Sequence, residues 1–137
     1  MITINEYVGQ WVNHVDWNPQ CKSSADILLQ RVNDLLDDYV HDGFTLEINP
    51  KTSSQISGEV YGGFRPKSCP IGATKSSHKL GMGVDIYDPN NEIDTWIDEN
   101  PDVLALFDLY RESAISTNGW CHLSTRKPNS GKRTFLP

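Results

Sequence analysis

The run Ser76-Ser77-His78-Lys79-Leu80-Gly81-Met82-Gly83-Val84-Asp85 limits the fold more than any other part of the chain. It places an imidazole and a carboxylate seven residues apart, around two glycines, at the start of an apolar segment. Gly81 and Gly83 permit a tight approach between a loop bearing His78 and a strand bearing Asp85. A second imidazole, His122, stands in Trp120-Cys121-His122-Leu123-Ser124. Two imidazoles and a carboxylate form a zinc-type ligand set that leaves a fourth position for water, which points to metal-assisted hydrolysis.

Strand alternation supports the grouping. In Gly83–Tyr87, Asp85 and Tyr87 share one face, while Val84 and Ile86 take the other. The same rule puts His122 opposite Cys121 and Leu123, so Cys121 is turned away from the set. Ser76, two residues before His78, is in reach to orient a ligand carboxylate from outside the ligand set. His14, His41 and Cys69 read as structural. The three cysteines cannot all pair within one chain.

The 137 residues fit a single domain, 1–137, with a core large enough to stand without disulfides. Net charge is −6, which argues against broad nucleic-acid affinity. The basic segment from Arg126 to Arg133 reads as a solvated tail or loop. No apolar run is long enough to span a membrane. The N-terminus lacks the basic and apolar regions of a secretory signal, so synthesis in the cytoplasm is expected.

The periodicity predicts a helix capped by Ser23 or Ser24 and ended by Gly43, with Ile27, Leu28, Val32, Leu35, Leu36, Tyr39 and Val40 as its apolar stripe. Helix-like spacing also runs through the aromatic N-terminus, up to a break at Asn18-Pro19. Strands are expected at 44–48, 59–65, 83–87 and 120–125, and a helix from Asn100 to near Ser113. Lys67 to Ser77 reads as a site-forming loop. With no regular strand-helix-strand repeat, the chain is expected to be α+β with a small antiparallel sheet flanked by helices.

The pattern Ser76-x-His78-x-x-Gly81-x-Gly83-x-Asp85, followed by Trp120-x-His122-Leu123, resembles the zinc D-Ala-D-Ala carboxypeptidase and L-alanyl-D-glutamate endopeptidase family. The similarity covers roughly residues 20 to 125 and includes Gly63-Phe64-Arg65-Pro66. It implies a DD-peptidase/hedgehog-like fold, a Zn2+ site on His78, Asp85 and His122, a supporting Ser76, and Arg65 as a clamp for a substrate carboxylate. It implies cleavage of peptidoglycan stem peptides by a phage-type lysin, released by a holin or carried by a virion protein. Where the family usually has Ala, this chain has Gly83, a change expected to matter little. The family commonly places its general base three to six residues before the last histidine, but Ser116, Thr117, Asn118 and Gly119 offer no carboxylate. Glu112 is the nearest acid and the candidate base, with Asp94 and Glu92 behind it. A non-catalytic metal-binding module of the same fold is the alternative, and a structural zinc protein the third reading.

Overall fold

The computed structural model describes residues 1–73 and 75–137; Thr74, inside the expected loop, lies outside the described residues. The longest element is a helix, α2 (Pro19–His41), which follows a short N-terminal helix, α1 (Ile4–Val8). Asn18-Pro19 is the start of α2 and not a break. The Asn18 side chain accepts the Cys21 N–H, and Pro19 occupies a first-turn position where no N–H is needed. Ser23 and Ser24 therefore lie inside the helix. Its buried stripe is Ala25, Leu28, Leu29, Val32, Leu35, Leu36 and Tyr39, whereas Ile27 and Val40 stand exposed.

α1 is closed by a Thr3–Glu6 capping box. It delivers Tyr7 to the interior, where the phenol donates to the Gly83 carbonyl at 2.9 Å. Trp17 bridges Tyr7 to Phe64, with ring centroids 6.2 and 5.0 Å apart. The N-terminal aromatics thus tie the chain start to the segment that leads into the site.

Four strands form one sheet: β1 (Gly83–Tyr87), β2 (Tyr110–Glu112), β3 (Trp120–Ser124) and β4 (Thr134–Phe135), in the order β1-β3-β2-β4. β3 pairs antiparallel with β1 and β2, but β2 and β4 run parallel, so the sheet is mixed where an antiparallel one was expected. The general α+β architecture stands. Val84, Ile86, Cys121 and Leu123 pack into the same core as the α2 stripe, which leaves the other face of β1 and β3 for Asp85 and His122.

Several expected elements differ. Residues 44–48 and 59–65 are irregular. In the second, the backbone bonds go to separate elements: Phe64 N–H to Tyr7 O, Arg65 N–H to His78 O, and Asp85 N–H to Gly62 O. Gly63 is required there, because a Cβ would lie 2.0 Å from Tyr7 O. A helix unforeseen from periodicity, α3 (Glu92–Glu99), is capped by Asp88, whose carboxylate accepts the N–H groups of Glu92, Ile93 and Asp94. The expected helix from residue 100 shrinks to α4 (Asp102–Leu106). Asp108 then takes a left-handed conformation (φ 51°), and the chain turns into β2.

Candidate metal centre and cavity

The β1–β3 register sets Asp85 directly opposite His122. His78 arrives from a 3-10 turn at Ser77–Leu80, closed by Gly81 in the left-handed region (φ 72°). A Cβ at Gly81 would meet Cys21 O at 2.4 Å, so this turn is seated against the start of α2. The three side chains are buried, and their ligand atoms lie within 4.8 Å of one another.

Asp85 Oδ1 is the meeting point. It lies 2.8 Å from His122 Nδ1 and 3.2 Å from His78 Nε2. Tetrahedral zinc with bonds of roughly 2.0–2.2 Å needs ligand atoms about 3.3–3.6 Å apart, so small side-chain adjustments suffice. Burial works against the Asp85 charge, but a proton held on the His78 or His122 ring beside it outweighs burial and lowers the carboxyl well below the ordinary carboxylate range. Burial also holds the His78 pKa below its usual value.

The hydrogen bond behind His78 is diagnostic. Its Nδ1 lies 2.8 Å from the Gly63 carbonyl, which can only accept, so Nδ1 carries the proton. The neutral ring then points a bare Nε2 lone pair at a carboxylate oxygen 3.2 Å away. Two acceptors in that position repel unless a proton or a cation lies between them. Protonation is disfavoured by burial, whereas a divalent cation satisfies both atoms and keeps the ring neutral. The donor set and its outer support therefore fit a divalent metal ion.

Arg65, Ser76, His78, Asp85, Glu112 and His122 all line one cavity of about 550 Å³, a size suited to a small ligand or a short peptide segment. Arg65 is buried. Its Nη2 donates to Asp85 Oδ2 at 3.1 Å and its Nε to Tyr61 O at 2.7 Å. Among the described residues no hydrogen bond engages its Nη1. Ser76 was expected to orient the ligand carboxylate; instead its Oγ accepts the His78 N–H at 3.3 Å and caps the turn, and Arg65 is what holds Asp85. Glu112, expected in the last turn of the helix from residue 100 with the following loop turning it inward, lies instead at the end of β2. The neighbouring Arg111 points away from the cavity, to Asp94 and Asp98. Strand alternation accordingly brings Glu112 to the cavity side, where it is half-buried. Burial raises its carboxyl pKa above the usual glutamate value, against the pull of His122.

Asp94 and Glu92, the reserve candidates for the base, belong to α3 and do not line the cavity; Asp94 is paired with Arg111 beneath the sheet. Cys121 lies under the sheet as expected, fully buried. The basic segment is not simply a solvated tail, because Arg126 and Lys127 form part of the cavity wall. So do Trp120 and Phe135, the latter edge-on to His122 at 6.4 Å between centroids. Arg126 and Lys127 follow β3 by only a few residues, and that proximity to His122 was the available signal. Ser77 was also missed: its Oγ lies 3.4 Å from His122 Nε2. Gly83, whose missing methyl was expected to matter little, is tightly enclosed by Ser77 and His122.

No helix among the described residues is long and apolar enough to cross a membrane. Searches of protein-family models, curated proteins and solved structures returned no match to this chain.

Proposed function

We propose that the chain is a zinc-dependent peptidase acting on carboxylate-bearing peptides of the bacterial cell wall, as its motif resemblance to the D-Ala-D-Ala carboxypeptidase and L-alanyl-D-glutamate endopeptidase family implies. The observation that carries the reading is the convergence of His78 Nε2, Asp85 Oδ1 and His122 Nδ1 beside a cavity that also receives Glu112. Zinc, when bound, supplies Lewis acidity toward water and a peptide carbonyl. Glu112 provides the carboxylate that takes a proton from the attacking water and returns it to the leaving amine. Its raised pKa suits both halves of that cycle. Arg126 and Lys127 give the wall positive charge for an acidic peptide, and Trp120 and Phe135 give it apolar surface.

One feature favours a second reading, a metal-holding module that binds wall peptide without cutting it. Glu112 is the only acid lining the described cavity apart from Asp85 itself, so no other carboxylate there stands ready to act as the base. The two readings separate in one experiment. Zinc-loaded protein is incubated with purified peptidoglycan and with synthetic stem peptides, and products are read by mass spectrometry. A peptidase yields new termini that vanish with chelator and with His122→Ala. Saturable peptide binding without cleavage, with zinc at one per chain, supports the module instead.

A further inference from the structure

Both imidazoles of the centre are held from behind, but by different groups. His78 Nδ1 meets a backbone carbonyl, whereas His122 Nε2 meets the Ser77 hydroxyl. The difference matters because a carbonyl only accepts, while a hydroxyl both donates and accepts. His122 Nδ1 lies 2.8 Å from Asp85 Oδ1. Without a metal the favoured neutral tautomer carries its proton on Nδ1, donated to Asp85, and Nε2 is an acceptor for the Ser77 O–H. A metal on Nδ1 requires that nitrogen bare. The proton must then sit on Nε2, where the same hydroxyl, turned about its C–O bond, accepts it.

Space for this hydroxyl exists only because residue 83 has no side chain. A Cβ on Gly83 would lie 2.3 Å from Ser77 Oγ, 3.0 Å from Ser77 Cβ and 3.1 Å from His122 Cε1. Gly83 has no left-handed backbone requirement, so its use here is steric. Tyr7 fixes the other side by donating to the Gly83 carbonyl, which prevents β1 from backing away to admit a side chain.

We propose that Ser77 is the positioning residue of His122, serving either tautomer of the imidazole, and that Gly83 is the glycine that makes room for it. The proposal rests on the reading of His78, Asp85 and His122 as metal ligands. The proton balance is neutral: one proton leaves Nδ1 and one arrives at Nε2 through solvent at the cavity, so the exchange itself leaves the charge of His122 unchanged. Ser77 touches neither substrate nor metal in this scheme.

The test uses the full chain with Ser77→Ala, Gly83→Ala and the double variant. Zinc affinity is measured by chelator competition, and the His122 ring nitrogens are followed by 15N NMR with and without zinc. Ser77→Ala is expected to weaken zinc binding by about 10- to 100-fold, the range for loss of a group that orients a ligand. In wild type the ring signals should change from the Nδ1–H form to the Nε2–H form on zinc addition. In Ser77→Ala the Nε2–H signal should exchange faster with solvent. Gly83→Ala should weaken binding similarly, and the double variant should lose less than the product of the two, because both act through one contact. Thermal melts of the metal-free proteins identify a variant that fails to fold; Ser77→Ala, which only removes an oxygen from a half-buried position, keeps the test available if Gly83→Ala does not fold. Zinc affinity within two-fold of wild type in Ser77→Ala, or an Nε2–H signal unchanged by it, overturns the proposal. Wild-type protein that takes up no zinc refutes the metal reading, and the proposal with it.

Discussion

Replacing Arg65 by Met distinguishes two roles for that side chain. The motif resemblance makes Arg65 a clamp for substrate. The structure instead aims two of its donors inward, Nη2 at Asp85 Oδ2 (3.1 Å) and Nε at Tyr61 O (2.7 Å). Hydrogen bonds from a charged donor contribute about 1.5–3 kcal/mol each, so two would give about 3–6 kcal/mol. Two features reduce the loss. Asp85 keeps its hydrogen bond from His122 Nδ1 at 2.8 Å, and Tyr61 is 42% exposed, so water can replace the donor on its carbonyl. Met also preserves the packing of the arginine stem. The expected cost is therefore near the lower end, about 3 kcal/mol in urea unfolding of the metal-free protein. Zinc affinity should fall by about 10- to 100-fold, because the Asp85 carboxylate is then free to rotate. Chelator competition and urea titration on one preparation measure both. If stability and zinc affinity are unchanged while cleavage of carboxylate-bearing peptides alone declines, Arg65 acts on substrate and the reasoning from its inward contacts is refuted.

His78→Ala, Asp85→Ala and His122→Ala should each abolish stoichiometric zinc; metal analysis that finds full retention in all three rules the centre out. Glu112→Gln should lower turnover by about 100- to 10,000-fold with zinc content intact, measured on a stem peptide. Since the base must be ionised and burial raises its pKa, wild-type activity should fall as pH drops through a value above the ordinary glutamate pKa, and the Gln variant should lack that limb. Leu35→Ala, at a fully buried position of the α2 stripe, should cost about 2–5 kcal/mol in urea unfolding; a cost under 1 kcal/mol would mean that the stripe is not the main core.

The parts of this protein that sequence reasoning recovers share a local origin. α2 is legible because its buried residues recur at helical spacing, although the cap lies at Asn18 and the stripe's edges are shifted. β1 and β3 are legible because alternation separates Val84 and Ile86 from Asp85, and Cys121 and Leu123 from His122. The grouping of His78, Asp85 and His122 follows from metal-binding residue types in a short glycine-bearing run, plus a histidine on a recognisable strand.

Tertiary structure decided the rest, because hydrogen bonds between distant segments leave no periodic trace. β2 and β4 have three and two residues, too few for alternation to register, yet β2 carries Glu112 to the cavity. Gly62 to Arg65 looked like a strand, but its backbone groups are satisfied by α1, the His78 turn and β1 in succession. The segment thereby presents the Gly63 carbonyl to His78 and the Arg65 guanidinium to Asp85. Ser76 and Ser77 are chemically identical neighbours, and only the turn that carries them assigns one to the His78 backbone and the other to the His122 ring. The sequence determined which groups were available for chemistry. The fold determined which atom of each faces which partner, because that depends on turn geometry, strand register and the empty space beside Gly83.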